Sequence, residues 1–248
     1  MDNVARQRYA RQISLPEWGE DGQECLKSAS VFVAGIGGLG SVAARYLVGA
    51  GVGRVALLDI DAIELSNLHR QILYDENDVD RLKILAAAEK LRAVNSEPII
   101  ETHDALPPLH SYDMIVDCTD NFPARFALHK AAAEARLPYL YAAAEAYRGA
   151  LCLFAGHEPS SPCLHCFIPK EAVCDAREGC ARLGVFPSLP GVIGAMAAAE
   201  CVRYVLRLGE LSPGRLTRYD ALSGECGVSR VTKDPECACR DNVTTNIQ

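Results

Sequence analysis

The sequence has no excess of positive charge: 25 Lys and Arg stand against 32 Asp and Glu, for a formal net charge of -7 over 248 residues. That balance excludes a general polyanion-binding role, so nucleic acid is not expected as a partner. An N-terminal signal pattern is also missing, because MDNVARQRYARQ is polar from the first residue, and a cytoplasmic location is expected. No apolar run is long and unbroken enough for a membrane span. The best stretch, 190–208, is interrupted by Glu200 and Arg203 and reads as a buried helix. Internal repeats and low-complexity blocks are absent too, which leaves a globular chain long enough to bury one full α/β core.

What the chain does have is cysteine. Eleven without a secretion signal point to reduced thiols, metal ligation or thiol chemistry rather than a disulfide framework. Cys163 and Cys166 form a C-x-x-C in a loop, and Cys237 and Cys239 a C-x-C near the end. Four thiolates from two such pairs make a closed tetrahedral zinc site of the structural type. The C-x-C is tighter than the usual spacing, so Cys226 stays open as a substitute ligand. The C-x-x-C is expected at no helix N-terminus, which argues against an activated redox thiol. Cys180, with Cys174 nearby, is flanked by Arg177 and Arg182, whose charge favours a thiolate; the alternative is a small buried hydrophobe. Cys25, Cys118, Cys152 and Cys201 read as packing residues.

The chain is organised around the stretch 31–61, which reads as strand, glycine-rich turn, helix, strand and acid. Gly35, Gly37 and Gly40 fall at G-x-G-x-x-G spacing with Gly38 between them, a pattern that lets backbone approach a phosphate closely. The following helix offers its N-terminal amides to an anion, and Asp59, with Asp61 closing the unit, is placed to hold a ribose. Before this unit, 2–27 is expected to form a short helix and a loop, with Arg6, Arg8 and Arg11 on a solvated face. After it, helices are expected over 83–95 and from Pro123 to about Arg136, with strands at 99–102, 114–116 and 139–142. A strand at ALCLF, a helix near 191–208 and antiparallel strands at 215–221 and 227–232 complete the chain. The fold class is therefore a Rossmann-like, doubly wound, mostly parallel sheet with a C-terminal antiparallel extension and a structural zinc site.

DCTDN, 117–121, sits where a parallel strand ends, so Asp120 is a candidate magnesium ligand beside nucleotide phosphates, with helix capping as the alternative. Arg70 and Lys83 can neutralise a phosphate chain, though each can equally be a surface charge. The glycine loop alone permits a nicotinamide-dependent oxidoreductase, or a zinc-stabilised scaffold that has lost turnover. Cleavage of a nucleoside triphosphate is the chemistry that would use both cations and the carboxylate.

Taken together, RYARQI, GIGGLG, LLDIDAIELSNLHRQ, DCTDNFPARF, CLHC, CARLGVFPSLPGVIG and YDAL resemble the ThiF/MoeB/HesA family, bacterial relatives of the ubiquitin-activating enzymes. The resemblance covers nearly the whole chain. It implies an ATP-dependent adenylyltransferase, working as a homodimer on the C-terminal Gly-Gly carboxylate of a small ubiquitin-fold sulfur-carrier protein. By the same resemblance, Gly35, Gly37, Gly38 and Gly40 would hold phosphates and Asp59 and Asp61 the ribose end. Asn67, Arg70, Gln71 and Lys83 would meet the triphosphate, and Asp120 with Asn121 the magnesium side. Arg11 would reach the ATP of the partner subunit, and Cys180 matches a mobile-loop cysteine that forms a covalent link to the carrier in some members. One domain is expected over 1–248: a helical arm at 1–28, a nucleotide-binding core at 29–145, a carrier-binding and zinc-bearing part at 146–240, and a tail at 241–248. Sulfur is expected from a separate donor. Three positions depart from the family pattern: the C-x-C pair, Ala150 in place of a glutamine, and VDRLK without the Gly-Pro that often precedes the lysine.

Overall fold

Short apolar segments separated by helical spacing can satisfy their backbone groups only by lying side by side, and they do so in one sheet. The computed structural model describes residues 1–155, 157, 158, 160–168 and 184–237. Strands β1 (Ser30–Ala34), β2 (Arg54–Leu58), β3 (Ile99–His103), β4 (Met114–Asp117) and β5 (Tyr139–Glu145) are mutually parallel. They continue into β6 (Arg148–Phe154), β7 (Arg215–Asp220) and β8 (Cys226–Arg230), which pair antiparallel. The order is β3-β2-β1-β4-β5-β6-β7-β8, the parallel and antiparallel halves expected from the sequence.

Strand β1 shows why the sheet is covered on both sides. Its alternation sends Val31 and Val33 into one core with Leu47, Leu91 and Ile193, and Phe32 and Ala34 into another with Ile115, Leu128 and Tyr139. Helices α3 (Gly40–Ala50) and α4 (Lys83–Val94) cover the first face. Helix α5 (Phe122–Glu134) covers the second. Its start follows from sequence: Asn121 caps it and Pro123 stands in its first turn.

The N-terminal arm differs from expectation, being two helices, α1 (Asn3–Ile13) and α2 (Gly19–Ser28). GEDGQECLKS places Glu20 and Asp21 in its first turn and Lys27 in its last, which complements a helix dipole. Cys25 is exposed on α2, with its Sγ 3.5 Å from the Val205 carbonyl, and is not the packing residue expected. The C-x-x-C stretch also holds a one-turn helix, α6 (Leu164–Phe167), with Cys163 at its N-cap, where a plain loop was expected. Helix α7 (Leu189–Leu206) is long and apolar enough to cross a membrane by length and composition alone, yet it packs on α3, β5 and β6.

Strand order reverses between β1 and β4, where ligands of open α/β sheets bind beyond the carboxyl ends. There α3 lies so close to the turn before it that a Cβ on Gly40 would sit 1.8 Å from the Gly35 carbonyl oxygen. Gly191, in the first turn of α7, has open space around it. Thermal unfolding should separate the two: Gly40→Ala costs about 3 kcal/mol and lowers Tm by roughly 10 °C, whereas Gly191→Ala leaves Tm unchanged or raises it.

Candidate functional site

The carboxyl ends of β1, β2 and β4 converge on the glycine turn. Gly35 takes a positive φ of 80°, donates its N–H to the Leu58 carbonyl at 2.7 Å, and leaves a Cβ no room against Cys118 and Thr119 at 2.8–2.9 Å. Helix α3 then begins behind Leu39 with no side-chain cap, and the Ser41 N–H of its first turn already donates to the Gly37 carbonyl at 3.0 Å, so only the first-turn amides beside it can meet an external anion. Two fully enclosed polar atoms near this turn, Ser41 Oγ and Gln71 Oε1, have no hydrogen-bond partner. Gln71 Nε2 lies 3.6 Å from where a Gly37 Cβ would stand, so its amide borders the loop. Buried groups of this kind are ordinarily satisfied, so both mark the turn as a place where polar groups are held in reserve.

Charge is arranged around that turn. Asp59 follows β2 directly; its carboxylate accepts the Ile36 N–H at 2.7 Å and the Asp61 N–H at 2.9 Å. Burial raises the Asp59 pKa, while those backbone donors and Lys83 oppose the rise. Lys83 opens α4 and is itself buried, with Nζ 2.7 Å from Asp61 Oδ2 and 3.9 Å from Asp59 Oδ1. The Tyr74 hydroxyl ties these elements together by donating to Ile36 O at 2.8 Å and standing 3.4 Å from Lys83 O. Arg70 stands against the loop, its Cγ 3.4 Å from a Cβ built on Gly38, and its Nη1 donates to Ser66 O at 3.0 Å.

The remaining candidates divide. Asn67 uses its side chain in a capping box with Glu64, so it shapes the 3-10 turn Leu65–Asn67 that carries Arg70 toward the loop. Asn121 accepts the Ala124 N–H at 2.9 Å, which gives the capping role to Asn121 and leaves the exposed Asp120 carboxylate beside Asn121 Nδ2 at 3.4 Å. Arg11 is exposed on α1, a helix held at the opposite end of α3 by Tyr9 against Gly51. An 11-residue helix spans about 16 Å, so Arg11 does not join the glycine turn of its own chain. Cys180 lies outside the described residues, as do Cys174, Cys239 and the tail.

A second cluster lies on the other face. Cys163 Sγ is 3.7 Å from Cys166 Sγ and 3.4 Å from Cys237 Sγ, and the three could hold a metal ion. Those spacings exceed a disulfide and approach the roughly 3.8 Å edge of a tetrahedron with 2.3 Å metal–sulfur bonds. The Asp234 N–H points at Cys166 Sγ from 3.4 Å. Cys226 stands exposed at the start of β8, outside this group. His129, which sequence reasoning did not single out, accepts the Leu164 N–H at 3.2 Å from α5; burial lowers its pKa to about 4 and keeps the ring neutral. Asp117 and Arg125 were also missed as a pair, although both lie in the DCTDNFPARF block.

A model described as the ThiF family matches residues 9–240. A sulfur carrier protein adenylyltransferase of Thermus thermophilus is 40% identical over 250 residues, covering 96% of this chain and 92% of that protein. An adenylyltransferase and sulfurtransferase MOCS3 of Xenopus laevis is 36% identical over 243 residues, 95% of this chain and 53% of its own length, so the chain spans about half of it. Among solved structures, E. coli MccB with ATP superposes with a TM-score of 0.80 at 22% identity, covering 94% of this chain and 73% of that one, a likeness of fold alone.

The thiol cluster can be tested with cobalt(II). The reduced protein should show intense thiolate-to-cobalt absorption at about one ion per chain, lost or strongly reduced in Cys163→Ser and Cys237→Ser. Unchanged spectra in both variants would remove the cluster as a metal site.

Proposed function

The chain belongs to the ThiF family, and on that premise we propose that it adenylates the C-terminal Gly-Gly carboxylate of a small ubiquitin-fold sulfur-carrier protein. ATP is the co-substrate and pyrophosphate the second product. The observation that carries the reading is the uncapped start of α3 behind its glycine turn, with Lys83, Arg70 and Asp120 around it. The relatives reported above are adenylyltransferases and lend no support to the oxidoreductase or scaffold readings.

In the reaction a carrier carboxylate oxygen attacks the α-phosphorus of ATP, the bond from that phosphorus to the bridging oxygen breaks, and pyrophosphate leaves. An anion approaches an anion, so the protein's task is positioning and charge neutralisation rather than proton removal. The glycine turn and the α3 amides hold phosphate oxygens, and Asp59 receives ribose hydroxyls while its other bonds fix Ile36. Lys83 is neutralised by Asp61 in the free protein, and a triphosphate arriving there takes over the cation. Arg70, one turn beyond Ser66, supplies the second positive charge. Gln71 borders the same loop through its amide, while Asn67 and Asn121 hold the backbone of the turns that carry Arg70 and Asp120. Asp120 is the carboxylate that fits a magnesium ion, whose chemistry there is to neutralise phosphate charge.

Zinc at Cys163, Cys166 and Cys237, with Cys239 as fourth ligand, joins the C-terminal segment to the loop after β6 and is structural in this reading. Arg11 serves the active site of a second copy, which accounts for its place at the far end of α3 and makes the homodimer the active form. Cys180 acts after adenylation: its thiolate attacks the carbonyl carbon of the acyl-adenylate, the bond to the phosphate oxygen breaks, AMP leaves, and the carrier is held as a thioester. The sulfur donor is a separate protein, and the setting is cytoplasmic.

ATP–pyrophosphate exchange with candidate carriers tests the site. Arg70→Ala and Asp120→Ala should each lower exchange by about 100-fold or more. Normal rates in both variants would discard the assignment. Subunit sharing has its own test: equal mixing of Arg11→Ala with Asp120→Ala chains should restore about a quarter of wild-type activity, because each mixed dimer contains one intact site. No recovery after verified subunit exchange would show that Arg11 does not act across the dimer.

A further inference from the structure

The carboxyl end of β4 carries a buried ion pair that the reaction outlined above does not use. Asp117, fully enclosed at the end of β4, accepts from Thr119 twice, at 2.8 Å from N–H and 2.6 Å from Oγ1. Its other oxygen accepts the Tyr139 hydroxyl and stands 3.6 Å from Arg125 Nη1. Arg125, 5% exposed on α5, donates to the Thr119 carbonyl and, through both Nη1 and Nη2 at 3.1 Å, to the Ala142 carbonyl of β5. Its guanidinium lies 4.5 Å over the Tyr141 ring.

Every polar atom of Thr119 is thereby committed: N–H and hydroxyl to Asp117, carbonyl to Arg125. The next residue is Asp120, and the one after it is locked as the cap of α5. The backbone on both sides of Asp120 is fixed, while its own carboxylate faces outward. Burying an ion pair is costly in desolvation and is a poor means of gaining stability. A carboxylate that must meet a metal within a few tenths of an ångström does gain from such a frame.

We propose that the Asp117–Arg125 pair, acting through Thr119, is the positioning device that sets Asp120 for the divalent cation of the bound nucleotide. The inference rests on the reading of Asp120 as the cation's ligand. Arg125 and Asp117 touch neither nucleotide nor metal; they act by holding Thr119. The pair also links the metal side of the site to β5, because Arg125 bonds Ala142 at the point where β5 outruns β4: their pairing ends at Asp117 and Tyr141.

Manganese(II) binding, followed by electron paramagnetic resonance with a non-hydrolysable ATP analogue present, tests this without turnover. Arg125→Lys and Thr119→Val should each weaken manganese binding about 10-fold or more, with less than about 2-fold change in metal-free binding of the analogue. Adding Arg125→Lys to Asp120→Asn should cause no further loss, since the frame then has nothing to position; a merely structural role would still add its own effect. Should Arg125→Lys fail to fold, Thr119→Val decides, because it keeps shape and both buried charges. Manganese affinity within twofold of wild type in the frame variants, together with its loss in Asp120→Asn, would overturn the inference and leave the Asp120 reading standing. Wild-type affinity in Asp120→Asn would overturn that reading itself.

Discussion

The contact on which the rest of the structure depends is backbone against backbone: the Gly35 carbonyl beneath Gly40, and the Cys118–Thr119 peptide against Gly35. A single methyl group at either glycine would push α3 off the sheet or β4 off β1. Because none is there, the start of a helix, the end of β1 and the end of β4 occupy one small volume, and α7 closes over it through Pro190 and Gly194. The charged residues follow from that closeness. Asp59 is bound to the loop by its own carboxylate, Lys83 to Asp59 and Asp61, and Thr119 to Asp117.

Helix amides, a lysine and an arginine surround the loop, and the acids among them are occupied: Asp59 by backbone donors, Asp61 by Lys83, Asp117 by a guanidinium and a phenol. Asp120, exposed like Asp61, has an amide beside it rather than a cation. On the opposite face, α5 runs from this loop to His129, which holds the backbone beside Cys163. One helix therefore borders both the nucleotide side and the thiol cluster.

Most of the strands and helices were legible because their signals are local. Val31–Ala34 alternates into two cores, Pro123 marks a helix start, and the G-x-G-x-x-G spacing forces a tight turn. The second helix of the arm was missed because GEDGQECLKS has few apolar residues, and its inner face is held by Leu26 in the core and by Gln23, bonded to Gln12, Trp18 and Ala50. The capping role went to Asn121 rather than Asp120, a one-residue difference that depends on where β4 stops. The single turn at Leu164–Phe167 was hidden because a four-residue helix leaves no period to read.

By itself the sequence determined the parallel core, the antiparallel extension, the position of the glycine turn and, through its motifs, the family. These depend on spacing along the chain and on residue types that few other backbones tolerate. Only the tertiary structure decided which partners the charged and thiol groups take. Lys83 meets Asp61, Arg125 is buried against Asp117, and Cys237 reaches Cys163 because crossovers and antiparallel returns bring distant segments together. Arg11 is the clearest case: its spacing on α1 marks only a helix face, and the packing of Tyr9 on Gly51 carries it away from its own glycine turn.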